Sequence, residues 1–183
     1  MITDRLIERI IELQNPTCVG LDTSFDYLPD DMRAGAKNFS DVAERIFDFN
    51  KKLIDTLYDV VPSVKVQIAY YEMYGAEGLK VYEATLKYAA EKDLVVIADA
   101  KRNDIGSTAA CYSKAFLGET EVNGARFSAF PSDFQRIFGQ RRHPPAAGGL
   151  PSGGYRYFCA GENLQSLERR AAEPSARKRN ARL

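Results

Sequence analysis

The chain has one histidine, three cysteines and no excess of either charge, with 25 basic residues against 25 acidic. Each shortage excludes something. His143 stands beside Pro144, so Ser107 and Thr108 have no imidazole partner for a hydrolase triad, and no histidine-based metal role is expected. Cys18, Cys111 and Cys159 are widely spaced and odd in number, which argues against a disulfide framework and for a reducing compartment. No long apolar run occurs near the start: MITDRLIERIIELQNP mixes charges with apolar residues and lacks a small-residue cleavage site. It reads as neither a signal peptide nor a membrane span, so a cytoplasmic protein with no membrane partner is expected. Glycine-rich phosphate turns are also missing. No such turn follows the first strand-like run, and Gly148–Gly149 and Gly153–Gly154 follow no strand.

What is present is a regular alternation. Ile2, Leu6, Ile10 and Leu13 fall at helical spacing and predict a short amphipathic helix ending near Pro16. TCVGLD then reads as a strand finishing on Asp22. Ser40 is placed to cap a long helix whose apolar stripe is Val42, Ile46, Phe49, Leu53 and Leu57, stopped by Pro62. SVKVQIA predicts a second strand containing Lys65. Leu79, Tyr82, Leu86 and Ala89 mark another helix, with Tyr70, Tyr71 and Tyr74 packing around the connection before it. LVVIAD is a third strand, and a further helix is expected over about 107–116.

Strands alternating with helices of this length predict parallel β structure joined by right-handed crossovers. An open doubly wound sheet and a (β/α)8 barrel both satisfy that pattern. The charges favour the barrel: Asp22, Lys65, Asp99 and Lys101 fall in or just after the strands, towards the ends where barrel enzymes gather catalytic groups. The fold class is therefore α/β, the N-terminal portion of a TIM (β/α)8 barrel. It is incomplete here, because such a barrel usually takes about 250 residues and only three clear βα units precede residue 120.

The densest charge cluster is in LVVIADAKRNDIGST, Leu94 to Thr108. An isolated Asp-x-Lys is ordinarily a surface ion pair worth under about 1 kcal/mol. Here it ends a buried strand, with Lys65 on the neighbouring one. Alternating carboxylates and lysines in a partly desolvated cleft hold each other ionised and suit proton delivery to carbon. DAKRNDIGST, GLDTS, VKVQIAYYEMYG and GETEVNGARFSAFPSDF together resemble the orotidine 5'-phosphate decarboxylase family, in particular its bacterial branch with DAKRxDIGxTA. The resemblance covers residues 1–134, taken as the N-terminal part of a barrel decarboxylase domain. It implies conversion of orotidine 5'-monophosphate to uridine 5'-monophosphate without a metal or organic cofactor. By matching position, Lys101 would be the proton donor to pyrimidine C6 and Asp99 would face the substrate carboxylate. Lys65 would hold Asp99 and contact the ribose, and Asp22 would accept a ribose hydroxyl. Asp104, Ile105 and Thr108 would reach into a partner subunit's site in a homodimer. The short Asp-x-Lys-x-x-Asp motif is shared with metal-dependent sugar-phosphate lyases and epimerases, which is the alternative enzyme reading.

From residue 135 the style changes. Residues 135–183 hold nine arginines and one lysine against three glutamates, a net charge of +7, which leaves −7 for residues 1–134. This Arg/Ala/Gly/Pro-rich tail has no valine and a single isoleucine, Ile137, so loop or disorder is expected. As a nucleic-acid arm it lacks interleaved aromatics, so no nucleic-acid partner is expected; a non-catalytic barrel remnant with a basic tail is the reading from another class. The family's loop of the form KTSNPSSGELQ and its phosphate-gripping arginine do not occur. Back-translation of 155–173, read one base later, permits IGIFVLVKTSNPSSGELQN, so the tail is expected to be frame-shifted and the chain as written inactive.

Overall fold

Three short strands with apolar residues on one face and mixed residues on the other form the centre of the molecule. A computed structural model describes residues 2–102, 106–118, 120–127, 136–141 and 155–159, the last two segments by backbone alone. Helix α1 (Ile2–Leu13) leads to strand β1 (Cys18–Gly20), a 3-10 turn at Phe25–Tyr27 and the single turn α2 (Asp30–Arg33). Helix α3 (Phe39–Leu57) precedes β2 (Ser63–Gln67), and a short α4 (Ala69–Glu72) and long α5 (Gly75–Glu91) lead to β3 (Val95–Asp99). Then come α6 (Gly106–Leu117) and the hairpin β4 (Thr120–Val122) and β5 (Ala125–Phe127).

β1, β2 and β3 pair in parallel, with Gly20 beside Lys65 and Gln67 beside Asp99. Successive side chains of a strand point to opposite faces. Val64, Val66, Val96 and Ala98 are therefore buried against α3 and α5, in a core that includes Ile46, Ile54 and Leu86. The other face carries Lys65, Gln67, Ile97 and Asp99. At its lower end Val95 and Ile97 are covered by Ile2 and Leu6 of α1, so the apolar stripe of that helix closes the sheet's N-terminal side. The charged upper end is left to the site.

Asn38, not Ser40, caps α3. Its extended backbone lets the side-chain oxygen accept the Asp41 N–H at 3.0 Å, while the Asp41 carboxylate accepts the Lys37 N–H at 2.8 Å. The buried seam of α3 is also rotated slightly from the expected stripe: Ala43, Ile46, Asn50 and Ile54 are buried, whereas Val42, Phe49, Leu53 and Leu57 flank it. A polar residue thus lies at the centre of the seam.

Two more strands, β6 (Arg136–Arg141) and β7 (Tyr155–Cys159), extend the sheet. β6 runs parallel to β3, with Ile97 beside Ile137, and β7 returns antiparallel to β6. The residue pattern there predicts no strand, but backbone pairing is open to any residue with a free N–H and C=O. The antiparallel direction of β7 departs from the all-parallel arrangement of a β/α barrel.

One contact fixes the corner between α4 and α5. A Cβ built on Gly78 would stand 2.0 Å from the Tyr71 carbonyl oxygen, so only glycine lets the two helices approach this closely. Gly78→Ala is expected to lower stability by about 1–3 kcal/mol, as overpacking of a close contact does. Thermal unfolding of the variant beside the parent checks this, and an unchanged Tm would show that the corner can open.

Candidate active site

The site is assembled by strand register. Lys65 lies across from Gly20, and Asp22 follows two residues on, so the lysine reaches the carboxylate from the neighbouring strand. Lys65 Nζ donates to Asp22 Oδ1 at 2.8 Å and to Oδ2 at 2.7 Å. Both side chains are about one-third exposed, at 31% and 34%. On the next strand, Asp99 ends β3 with only 15% of its side chain exposed. Lys101 turns back onto it and donates to Oδ2. That return depends on an uncommon backbone: Lys101 has φ of 49°, in the left-handed region that costs a non-glycine residue about 1–3 kcal/mol. Gln67 Nε2 also donates to Asp99 Oδ2, at 3.2 Å, because the two residues are register partners.

Two ion pairs therefore stand side by side at the C-terminal ends of three adjacent parallel strands. Each pair sets an ammonium group in direct hydrogen-bond contact with a carboxylate, in a partly withdrawn position. An ammonium group beside an anchored carboxylate can deliver a proton to a carbon brought between the strands, while the carboxylate disfavours a second anion next to it.

Beneath the first pair is a buried polar cluster. Thr23 Oγ1 donates to Asn50 Oδ1 at 2.6 Å, and Asn50 Nδ2 donates to Tyr71 Oη at 2.9 Å and Thr85 Oγ1 at 3.2 Å. Tyr71 Oη in turn donates to the Leu21 carbonyl at 2.9 Å. Asn50, Tyr71 and Thr85 are fully buried. Tyr82 packs edge-on against Tyr71 at 5.5 Å between ring centroids, and its hydroxyl is buried without a hydrogen-bond partner.

Residues 16–133 match the orotidine 5'-phosphate decarboxylase / HUMPS family. The chain belongs to that family. It is 48% identical to the orotidine 5'-phosphate decarboxylase of Clostridium acetobutylicum over 124 residues, which are 67% of this chain and 42% of the relative. It is 47% identical to that of Petrotoga mobilis, again over 67% of this chain and 42% of the relative. The matched part thus spans about two-fifths of these curated relatives. Among solved structures, a Toxoplasma gondii protein assigned as an orotidine-monophosphate-decarboxylase is 32% identical, with a TM-score of 0.51, over 61% of this chain and 35% of its own. One from Streptomyces avermitilis is 31% identical, with a TM-score of 0.51, over 63% and 38%. The parallel strands β1, β2 and β3 are accordingly part of the TIM barrel of the orotidine 5'-phosphate decarboxylase family.

Of the residues expected at a decarboxylase site, Asp22, Lys65, Asp99 and Lys101 are brought together. Lys65 meets Asp22 rather than Asp99, because register sets it beside Gly20 and puts Gln67 next to Asp99. Thr108 is exposed in the first turns of α6. Asp104 and Ile105 lie outside the described residues. Among the described residues, no three His, Cys, Asp or Glu side chains are grouped to hold a metal ion, and no helix is long and apolar enough to cross a membrane. Gln67 was the residue missed. Its signal was available, since it lies two positions beyond Lys65 and so on the same strand face.

Burial raises the pKa of Tyr71, with hydrogen bonds from its neighbours opposing, and raises that of Tyr82 with nearby Tyr71 and Asp99 adding to the effect. A folded-state pKa above the unfolded value near 10 means that the contribution to stability is complete below about pH 10 and falls as pH rises beyond it. Thermal melts between about pH 8 and 11 are expected to show Tm declining above pH 10. Tyr82→Phe, which removes a hydroxyl without a partner, is expected to make that decline shallower; parallel curves for parent and variant would contradict the burial argument.

Proposed function

We propose that this chain carries the reacting half of an enzyme that decarboxylates orotidine 5'-monophosphate to uridine 5'-monophosphate in pyrimidine nucleotide synthesis. The observation that supports it best is the pairing of Asp22 with Lys65 and of Asp99 with Lys101 on adjacent strand ends, in a chain of the orotidine 5'-phosphate decarboxylase family. Asp99, the least exposed of the four, would lie against the substrate carboxylate and disfavour its charged ground state. When the C6–carboxylate bond breaks, CO2 leaves and its electron pair stays on C6. The Lys101 ammonium stabilises that charge, gives C6 its proton, and regains one from water. Asp22 and Lys65 would hold the ribose, with Asp22 accepting from a hydroxyl. Asp104, Ile105 and Thr108 would complete the neighbouring site in a homodimer, and neither a metal nor an organic cofactor enters the scheme.

The same reading includes the tail. We infer that residues from about 135 onward derive from a shifted frame. The family match stops at residue 133, where the composition changes, and the one-base-later reading of 155–173 permits a strand followed by KTSNPSSGELQ. Binding of a remote phosphate is what lets an enzyme drive chemistry at a separate centre, so a chain without that loop is expected to show no turnover. Sequencing the DNA from codon 130 past the stop tests the frame: a shifted frame that does not encode this string sinks the inference.

Activity is tested in the enzyme read through the restored frame, by following loss of orotidine 5'-monophosphate with and without a chelator. Turnover indifferent to chelation is expected, and dependence on a divalent cation would favour a sugar-phosphate lyase or epimerase. Lys101→Ala should lower kcat/KM by about 10²–10⁴-fold, the usual worth of a positioned acid. Near-normal turnover of that variant would remove Lys101 from the mechanism.

A further inference from the structure

The centre of the buried seam of α3 is an asparagine where an apolar residue would pack without any polar group to satisfy. Asn50 is 0% exposed, and both ends of its amide are engaged. A buried amide that served stability alone would be replaceable by leucine together with apolar partners at little cost. The hydrogen bonds of Asn50 lead somewhere more specific. Directly, they reach the hydroxyl of Thr23, the residue after Asp22. Through Tyr71 they reach the carbonyl of Leu21, the residue before it.

We propose that Asn50 is a positioning residue for the Asp22–Lys65 pair, holding the side chain of Thr23 and, through Tyr71, the carbonyl of Leu21, so that the Asp22 carboxylate meets the lysine with both oxygens. This rests on the reading of Asp22 and Lys65 as substrate-contacting groups. The direction of donation is consistent along the whole cluster. Thr23 donates to the amide oxygen, the amide nitrogen donates to Tyr71 and Thr85, and the Tyr71 hydroxyl donates to the Leu21 carbonyl. A tyrosine hydroxyl is protonated at neutral pH, and burial raises the pKa of Tyr71 further, so that last bond persists. The anchor points belong to three helices, α3, α4 and α5, while the clamped segment belongs to the loop after β1. The helical layer thereby sets the position of a carboxylate on the strand layer. Gln67 and Lys101 hold Asp99 from within the sheet and its following turn, so the two carboxylates are supported by independent means.

The test needs no substrate, so the absence of decarboxylation in this chain would leave its result intact. Thr23→Val, Thr23→Ser, Asn50→Leu and the apolar control Ile54→Val are compared with the parent chain. Two quantities are read: amide hydrogen exchange over residues 21–23, and the acylation rate of Lys65 relative to the exposed Lys80. Thr23→Val and Asn50→Leu should speed local exchange by about tenfold, the change expected from losing one hydrogen bond. Both should also raise relative Lys65 acylation by about threefold or more as the ion pair loosens. Thr23→Ser keeps the hydroxyl and should match the parent. Ile54→Val should leave both readings unchanged even though its Tm falls, which separates positioning from stability. If Asn50→Leu does not fold, the Thr23 pair decides alone. Unchanged Lys65 acylation in Thr23→Val, an equal change in Ile54→Val, or a parent chain without protection at residues 21–23 would each overturn the proposal.

Discussion

The register of three parallel strands is the constraint on which everything else depends. Setting Gly20 beside Lys65 and Gln67 beside Asp99 brings groups far apart in the chain to one end of the sheet. Because side chains alternate along a strand, a slip of one residue would turn Lys65 and Asp99 towards the helices and expose the valines between them. The apolar face forbids that slip. Val64, Val66, Val96 and Ala98 are fully buried against α3 and α5, and at about 25 cal/mol per Å² of apolar surface their burial far outweighs what two partly exposed ion pairs contribute. Packing on one face therefore decides geometry on the other.

The two ion pairs are held in different ways. Asp99 depends on short-range devices: a register neighbour, Gln67, and a left-handed residue, Lys101, that returns its own ammonium to the strand it has just left. Asp22 lies beyond the end of β1 and has no strand to define it. Its segment is held instead by a buried chain of hydrogen bonds running to α3, α4 and α5. Such a network is costly if any member loses its partner, since each buried polar group then bears its full desolvation penalty. Here each member is satisfied. Outside that network, the Tyr82 hydroxyl, pressed against Tyr71, and the Gln67 Oε1 beside Asp99 are buried with no partner.

Much of this was legible in the chain. The order of the long helices and the strands through β3, the amphipathic face of α1 and the charges at the strand ends follow from local periodicity, which does not need distant contacts; the short α2 and α4 do not. The resemblance to orotidine 5'-phosphate decarboxylases likewise rested on contiguous residues. Other features were not legible. The cap of α3 fell on Asn38 rather than Ser40 because both are good caps and only the entry path of the chain chooses between them. The Asn-Gly at 123–124 is a hairpin turn, with both residues at positive φ, but the strands flanking it are three residues each and too short to stand out. Strands β6 and β7 arise from backbone pairing that their side chains do not announce.

The sequence by itself determined which residues could do chemistry and in what order the elements would come, since spacing, capping and alternation are properties of neighbours along the chain. Only the tertiary structure decided which charge meets which. Lys65 faces Asp22 and Gln67 faces Asp99 because interstrand register, a property of packed sheets, sets those distances. Asn50 likewise reads as one polar residue on an apolar stripe until three helices close around it. Its role then follows from the fact that a buried amide must find partners, and those nearest flank Asp22.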